Sequence, residues 1–300
     1  MHRVLVAAPL ALVVFHSLAV AQAPEDRFFD ANGVRIRYVE HGSGEPVVLL
    51  HGLGNSLQSW LDSGVFEKLA VDHRVIAFDS RGHGKSGKPH DVKAYGREQS
   101  LDVVRLLDHL AIRRAHIVGY SMGAGITSQL LTMHPDRFVT ATLGAAAGRF
   151  AWTPEDDKLA EQEAAEREKE CVSRTLLYRL APTNGPKPTE EEIQKRSKAC
   201  FADPTQDRLA IAALTRARRE TVIEPARAAA VTVPTLGIVG DLDTNLAGLQ
   251  QLKKLRPSLQ LVVIEGAIHN SGDPRGAMRS PQFISALRAF VASHRQNSTR

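Results

Sequence analysis

The sequence predicts an α/β protein whose mostly parallel sheet carries helices on both faces. Short apolar runs typical of buried strands alternate with longer segments in which apolar residues recur at helical spacing. Strands that alternate with helices favour parallel pairing, and wholly apolar strands are expected to be covered on both faces. The reactive groups of such a sheet gather at the carboxyl ends of its strands.

The elements can be justified in order along the chain. The first two strands flank Asn32-Gly33, the strongest short signal for a β-hairpin. The pattern then runs through strand PVVLL, helix LQSWLDSGVFEKLA, strand HRVIAFD, helix REQSLDVVRLLDHLAI, strand RAHIVG, helix MGAGITSQLLTMH and strand FVTATLGAA. Pro135 stops the last of these helices. Two later strands, VPTLGIVG and LQLVVIEG, extend the same sheet.

The alternation stops near residue 148 and resumes with VPTLGIVG, which indicates an insertion in a continuous sheet. We therefore divide the chain into four parts. They are a signal peptide (1–21), the first part of the core (22–148), an inserted helical cap (149–230) and the second part of the core (231–300).

The inserted segment has a helical character of its own. Thr153 before a proline is a helix start, and the helix that follows, PEDDKLAEQEAAEREKE, has few large apolar residues. We expect this helix to be exposed to solvent, with pairs such as Glu163 and Arg167. LLYRLA, at 176–181, is apolar enough to face inward over a site.

The N-terminal residues 1–21 have the organisation of a secretory signal. Arg3 supplies a positive charge, VLVAAPLALVVF an apolar region, and the small residues ending at Ala21 a cleavage site. The apolar region is short and is interrupted by Pro9. We expect a secreted or periplasmic protein with no stable membrane insertion after cleavage.

The two cysteines, Cys171 and Cys200, both fall in the inserted segment. An even pair in an exported chain is more often bridged than free, so we expect a disulfide between them.

Composition and charge restrict the class of partner. The chain is 43% apolar and 24% charged, as in ordinary globular proteins. Its formal net charge of +5 is small and scattered along the chain, which argues against a nucleic-acid partner.

The most informative motif is GYSMG, which follows a predicted strand and begins a predicted helix. A sharp strand-to-helix turn at Ser121 would project its hydroxyl from the end of the sheet and crowd the residues two positions away. Gly119 and Gly123 relieve that crowding. The motif predicts a nucleophilic serine.

Serine is a weak nucleophile, so it needs a base, and the base needs a third group that fixes its tautomer. The order expected for this kind of turn is serine, then acid, then histidine. Asp241 and Asp243 follow the strand TLGIVG, and His269 follows the next strand. Either carboxylate fits by position alone.

In their order and spacing, the motifs resemble those of the α/β-hydrolase fold family, and the resemblance covers essentially everything after the signal. GYSMG around Ser121 matches the family's G-x-S-x-G. HGLG, in which His51 and Gly52 support the loop, resembles the family's oxyanion loop, and DSRGHGKS at 79–86 is similar to its D-x-R-G-x-G-x-S loop. The resemblance implies an eight-stranded sheet.

The resemblance also selects the acid and the base. The family acid usually lies three residues after a glycine, which favours Asp243, after Gly240, over Asp241. The family histidine usually follows G-x-G or G-A-G. GAIH, before and including His269, departs from that pattern at Ile268, and the proline usually found beyond the acid is absent.

By resemblance, the backbone amides of Leu53 and Met122 would form the oxyanion hole, and the protein would be a serine hydrolase cleaving a carboxylic ester of a small molecule through an acyl-enzyme. No metal or organic cofactor is implied. Lactone, thioester or carbon–carbon bond cleavage and acyl transfer to an alcohol or peroxide would use the same groups, and a ligand-sensing protein on this scaffold is a further alternative. Family members that act on epoxides or haloalkanes use an aspartate nucleophile, so Ser121 argues against both.

Overall fold

The computed structural model describes residues 24–295; the predicted signal peptide, residues 1–21, lies outside them. The described chain forms a sheet of eight strands in the order β1-β2-β4-β3-β5-β6-β7-β8. β2 pairs antiparallel with β1 and β4, and the remaining pairings in this sheet are parallel. The strands are β1 (Arg27–Asp30), β2 (Arg35–His41), β3 (Pro46–Leu50), β4 (Arg74–Phe78), β5 (Ala115–Tyr120), β6 (Phe138–Gly144), β7 (Thr235–Gly240) and β8 (Gln260–Ile264). The predicted fold class is confirmed.

Helices connect the strands and cover the sheet. In chain order they are α1 (Gln58–Asp62), α2 (Val65–Ala70), α3 (Arg97–His109), α4 (Met122–Met133), α5 (Pro154–Glu170), α6 (Arg174–Arg179), α7 (Glu190–Ala202), α8 (Arg208–Arg216), α9 (Pro225–Ala229), α10 (Leu246–Leu255) and α11 (Pro281–Ala292). The hairpin between β1 and β2 turns at Asn32 and Gly33, whose φ angles of 57° and 81° are those that an Asn-Gly turn supplies.

One predicted helix is wrong in its continuity. Residues 57–70 form two short helices, α1 and α2, instead of one. Gly64 lies between them with a φ of 74°, a left-handed conformation that a continuing α-helix does not contain.

Each face of the sheet has its own apolar layer. Because successive side chains of a strand point to opposite faces, Val47 and Leu49 pack with α2 and α11 on one side, and Val48 and Leu50 pack with α3 and α4 on the other. The four side chains are fully buried. Burial on both faces explains why PVVLL is continuously apolar.

The strand order places a crevice at the centre of the sheet. β3 lies between β4 and β5 in the sheet. The chain thus places β4 on one side of β3 and β5 on the other, so the direction of strand addition reverses at β3. Ligand sites of parallel α/β sheets lie at such a reversal, outside the carboxyl ends of the strands. The loops after Leu50 and Tyr120 leave from this point.

The segment predicted as a cap, residues 149–230, contains α5 to α9 and lies between β6 and β7. Ala213 and Leu214 of α8 pack against Tyr95, with Leu53 and Met122 beside them. This contact places α8 next to the loops that follow β3 and β5. A capping role for the segment stays a prediction.

Helix α5 begins as expected, with a capping box in which the Thr153 hydroxyl accepts a hydrogen bond from the Asp156 N–H. Glu163 and Arg167 do not form the predicted direct ion pair, although the Glu163 carboxylate still favours the charged form of Arg167. Glu163 is buried, and its carboxylate instead pairs with Arg179 at 3.1 Å and Arg218 at 2.5 Å. Both partners lie outside α5, so local helical spacing could not indicate them.

A disulfide joins Cys171, at the end of α5, to Cys200 in α7, as expected from the sequence. Their Cα atoms are 5.9 Å apart, within the range that disulfides require. Among residues 24–295, no helix has the length and apolar character needed to cross a membrane.

Candidate active site

Ser121 occupies the turn between β5 and α4 in a backbone conformation that residues with side chains rarely adopt. Its φ and ψ are 54° and −111°. A Cβ at Gly119 would lie 2.1 Å from the Gly123 carbonyl oxygen, and one at Gly123 would lie 2.2 Å from the Leu50 carbonyl oxygen. Close backbone approach therefore requires glycine at both positions of the motif.

Three polar side chains from three loops form one hydrogen-bonded chain. The Ser121 Oγ lies 2.9 Å from the His269 Nε2, and the His269 Nδ1 lies 2.9 Å from the Asp243 Oδ2. The Tyr120 hydroxyl donates to the His269 carbonyl oxygen at 2.8 Å, which fixes the backbone that carries the imidazole. The structure thus brings together the three residues predicted as nucleophile, base and acid.

The two candidate carboxylates differ in their surroundings. Asp243 is 2% exposed and contacts the imidazole, whereas Asp241 is exposed to solvent. A Cβ at Gly240 would lie 2.0 Å from the Ala267 carbonyl oxygen, so the end of β7 approaches the loop that leads to His269. This close approach of the two loops allows the Asp243 carboxylate to contact the His269 imidazole.

The two predicted oxyanion amides flank the serine. Met122 is the first residue of α4, a position whose N–H has no partner within the helix. A Cβ at Gly52 would lie 3.4 Å from the Ser121 Cβ, so the loop that carries Leu53 passes close to the serine. No acceptor for either amide N–H is present among residues 24–295. Both donors are therefore available to a ligand.

His51 supports the loop on which Leu53 lies. Its Nδ1 donates to the Gly52 carbonyl oxygen at 2.8 Å, and its Nε2 accepts from the Ser80 N–H at 3.0 Å. Complete burial lowers the pKa of His51, which favours the neutral ring that these two bonds require.

His83 lies against His51, with ring centroids 5.0 Å apart. Its Nδ1 donates to the Arg81 carbonyl oxygen at 3.1 Å. Burial lowers the pKa of His83 well below its usual value. Both histidines are thus held neutral, as expected of side chains that support their loops through hydrogen bonds to the backbone.

Buried neutral histidines make the fold sensitive to acid. Burial lowers the pKa of His51 and His83, and that of His116, in β5, to about 4. Below pH 6.5 the unfolded chain binds protons that the folded chain does not, so the free energy of unfolding falls by about 1.4 kcal/mol per pH unit for each such histidine. We expect urea unfolding at pH 5.5 to show a loss of about 2–4 kcal/mol relative to pH 7.5.

In the variant His116→Gln, the loss of unfolding free energy between pH 7.5 and pH 5.5 should be smaller by about 1.4 kcal/mol, the contribution of one such histidine. His41 is exposed, so His41→Gln should leave the loss unchanged. Equal or greater stability at pH 5.5 than at pH 7.5 would contradict the assignment.

Sequence reasoning missed one residue at this site. The Asn245 side-chain amide lies 3.1 Å from the His269 Nδ1, and its backbone N–H donates to the Asp243 Oδ1 at 2.8 Å. The second contact is an Asx-type turn, which the spacing D-x-N could have indicated. Asn245 thereby binds one carboxylate oxygen while the imidazole contacts the other.

Comparison with known proteins identifies the family of this chain and shows that its relatives have several different activities. The model of the alpha/beta hydrolase fold family matches residues 45–274. The chain is 38% identical over 120 residues to 2-hydroxymuconate semialdehyde hydrolase of Pseudomonas sp. (strain CF600), covering 39% of this chain and 42% of that protein. It is 40% identical over 119 residues to epoxide hydrolase A of Mycobacterium tuberculosis (strain ATCC 25618 / H37Rv), covering 38% and 36%. The chain therefore spans well under half the length of these curated relatives.

Solved structures match nearly the whole described chain. Est816, described as an N-acyl homoserine lactone degrading enzyme, has a TM-score of 0.68 and 27% identity, with 88% of this chain and 100% of that chain covered. A thermophilic esterase from Thermogutta terrifontis has a TM-score of 0.72 and 23% identity, with 90% and 100% covered. At that lower identity the likeness concerns the fold alone.

Proposed function

Because this chain belongs to the alpha/beta hydrolase fold family, we propose that it is a secreted serine hydrolase that cleaves a carboxylic ester through an acyl-enzyme intermediate. The observation that carries the proposal is the 2.9 Å contact between the Ser121 Oγ and the His269 Nε2. At that distance the imidazole can take the hydroxyl proton as the oxygen attacks.

In the first half-reaction, the Ser121 Oγ bonds to the ester carbonyl carbon and its proton passes to the His269 Nε2. The carbonyl oxygen becomes an oxyanion, which the N–H groups of Leu53 and Met122 stabilise by about 3 kcal/mol each. Collapse of this intermediate breaks the bond to the alcohol oxygen, which takes the proton from Nε2. Asp243 holds the Nδ1–H and so keeps Nε2 free to accept.

In the second half-reaction, water takes the place of the alcohol. His269 accepts a proton from the water, whose oxygen bonds to the acyl carbon. The bond to the Ser121 Oγ then breaks, and that oxygen recovers the proton. The products are a carboxylic acid and the free serine.

A serine nucleophile favours acyl substrates over epoxides. Attack on an epoxide carbon by the Ser121 Oγ would give an alkyl ether, which has no carbonyl for water to attack and for the amides to stabilise. Lactones are cyclic esters and follow the same two half-reactions. The 27% identity to Est816 favours a lactone as the second candidate substrate.

Export is part of the same proposal. The disulfide between Cys171 and Cys200 supports it, because disulfides persist in oxidising compartments.

A fluorophosphonate probe tests the nucleophile directly, because it phosphonylates an activated serine without needing the natural substrate. We expect peptide mass spectrometry to find the probe on Ser121. Labelling should disappear in Ser121→Ala and persist in Ser128→Ala, a matched change on the helix that follows. Labelling at another residue, or none, would contradict the proposed function.

A further inference from the structure

A cavity of about 310 Å³ lies between the loop after β3 and the inserted helices. Gly54 borders it on the core side, and Leu176, Leu177 and Arg167 border it on the inserted side. Gly54 directly follows Leu53, and consecutive Cα atoms are about 3.8 Å apart. The cavity therefore begins one residue from a proposed oxyanion amide, where the non-reacting part of a bound ester would extend.

Two arginines, Arg167 of α5 and Arg196 of α7, and one carboxylate, Asp203, border this cavity, and Arg167 is the less exposed of the two arginines. Its side chain is partly buried, and its Nη1 donates to the Cys171 carbonyl oxygen at 3.3 Å. Arg167 forms no ion pair with any residue in the range 24–295. A guanidinium has five donors, so most of its hydrogen-bonding capacity is unused.

Seven other arginines of the inserted segment are paired with carboxylates, whereas Arg196 and Arg208 have no carboxylate within 4 Å among the described residues. The paired ones are Arg149, Arg174, Arg179, Arg216, Arg218, Arg219 and Arg227. Glu163, the acidic residue one turn before Arg167, already binds two of them, with one arginine on each carboxylate oxygen. Its charge is thus compensated without Arg167.

Arg167 is charged and lies within electrostatic range of the core. Burial lowers the pKa of His83, and the charges of His51 and Arg167 lower it further, which is consistent with Arg167 lying near the loop after β4. Burial also lowers the pKa of Arg167, to about 10, so its side chain remains positive at neutral pH. The Glu163 carboxylate favours the charged form of Arg167 without a direct contact, so the donors of the guanidinium stay free for a carboxylate, which matches their planar geometry.

We propose that Arg167 binds a carboxylate on the non-reacting part of the substrate, so that the preferred substrates are esters or lactones of acidic molecules. This inference rests on the proposed function, because the cavity is placed relative to Ser121 and its oxyanion amides. Leu176 and Leu177 would contact the apolar carbon atoms between the carboxylate and the reacting carbonyl. Arg196 also borders the cavity, but it is exposed, where water screens its charge.

Two matched substrate pairs test the inference. p-Nitrophenyl hydrogen adipate against p-nitrophenyl valerate places the carboxylate on the acyl side, and 4-carboxyphenyl acetate against phenyl acetate places it on the alcohol side. For at least one pair, the ratio of kcat/KM for the charged over the neutral ester should fall about 10- to 100-fold in Arg167→Met. Arg167→Lys should retain part of that ratio, since the charge remains.

Arg219→Met is the control, because Arg219 is exposed and lies outside the cavity; it should leave both ratios unchanged. Ratios that do not depend on Arg167 in either pair would overturn the inference. A fall caused by Arg196→Met and not by Arg167→Met would overturn the assignment of the residue.

A binding measurement separates this inference from the proposed function. Adipate should raise the melting temperature of Ser121→Ala, and the rise should vanish when Arg167→Met is added. Turnover of the neutral esters without any dependence on Arg167 would leave the proposed hydrolase standing and remove the carboxylate site. Adipate binding through Arg167, together with no probe labelling of Ser121 in the unaltered protein, would keep the carboxylate site and remove the proposed hydrolase.

Discussion

Replacing Ser121 by alanine should lower kcat for p-nitrophenyl valerate by about 10⁵- to 10⁶-fold. The change removes the oxygen that bonds to the acyl carbon and leaves in place the amides of Leu53 and Met122. Some acceleration over water should therefore survive. The measurement is p-nitrophenol release, followed over hours at high protein concentration.

His269→Ala should be comparably severe, because the serine oxygen and the base act as one unit. The double variant should then be no worse than either single one. A double variant far below both would show that the two residues contribute separately. Circular dichroism and melting temperature check that Ser121→Ala, which alters only a partly buried hydroxyl, keeps the fold.

The second large effect concerns the acid. Asp243→Asn should lower kcat by about 10³- to 10⁴-fold, because an amide in place of the buried carboxylate stabilises the wrong tautomer of His269. Asp241→Asn is a matched change two residues earlier on the same loop, and it should cost less than about threefold. The comparison uses kcat for one neutral ester at saturating concentration in both variants. A greater loss from Asp241→Asn would transfer the role of the acid to that residue.

The sequence predicted the sheet well because the signals for it are local. PVVLL is apolar at every position because it is covered on both faces, and Asn32-Gly33 supplies the two positive φ angles of the hairpin. The break between α1 and α2 was missed because one glycine in an amphipathic pattern does not by itself end a helix. Gly64 ends it here by adopting a left-handed conformation.

The positions of the three candidate catalytic side chains could be predicted because each follows a parallel strand, and those strand ends meet at one edge of the sheet. The surroundings of Arg167 could not be predicted from the sequence. Helical spacing suggested Glu163 as its partner, whereas the fold brings Arg179 and Arg218 to that carboxylate. Arginines that are distant in sequence bind this one buried carboxylate, and the local sequence around Glu163 does not indicate them.

The bridge between Cys171 and Cys200 borders the same cavity as Arg167. Ser121, Asp243 and His269 lie outside the inserted segment that carries the bridge, and none of them contacts either cysteine. If the cavity binds the substrate as proposed, reduction of the bridge would loosen one of its walls. We therefore expect that reduced protein would discriminate less well between charged and neutral esters than oxidised protein.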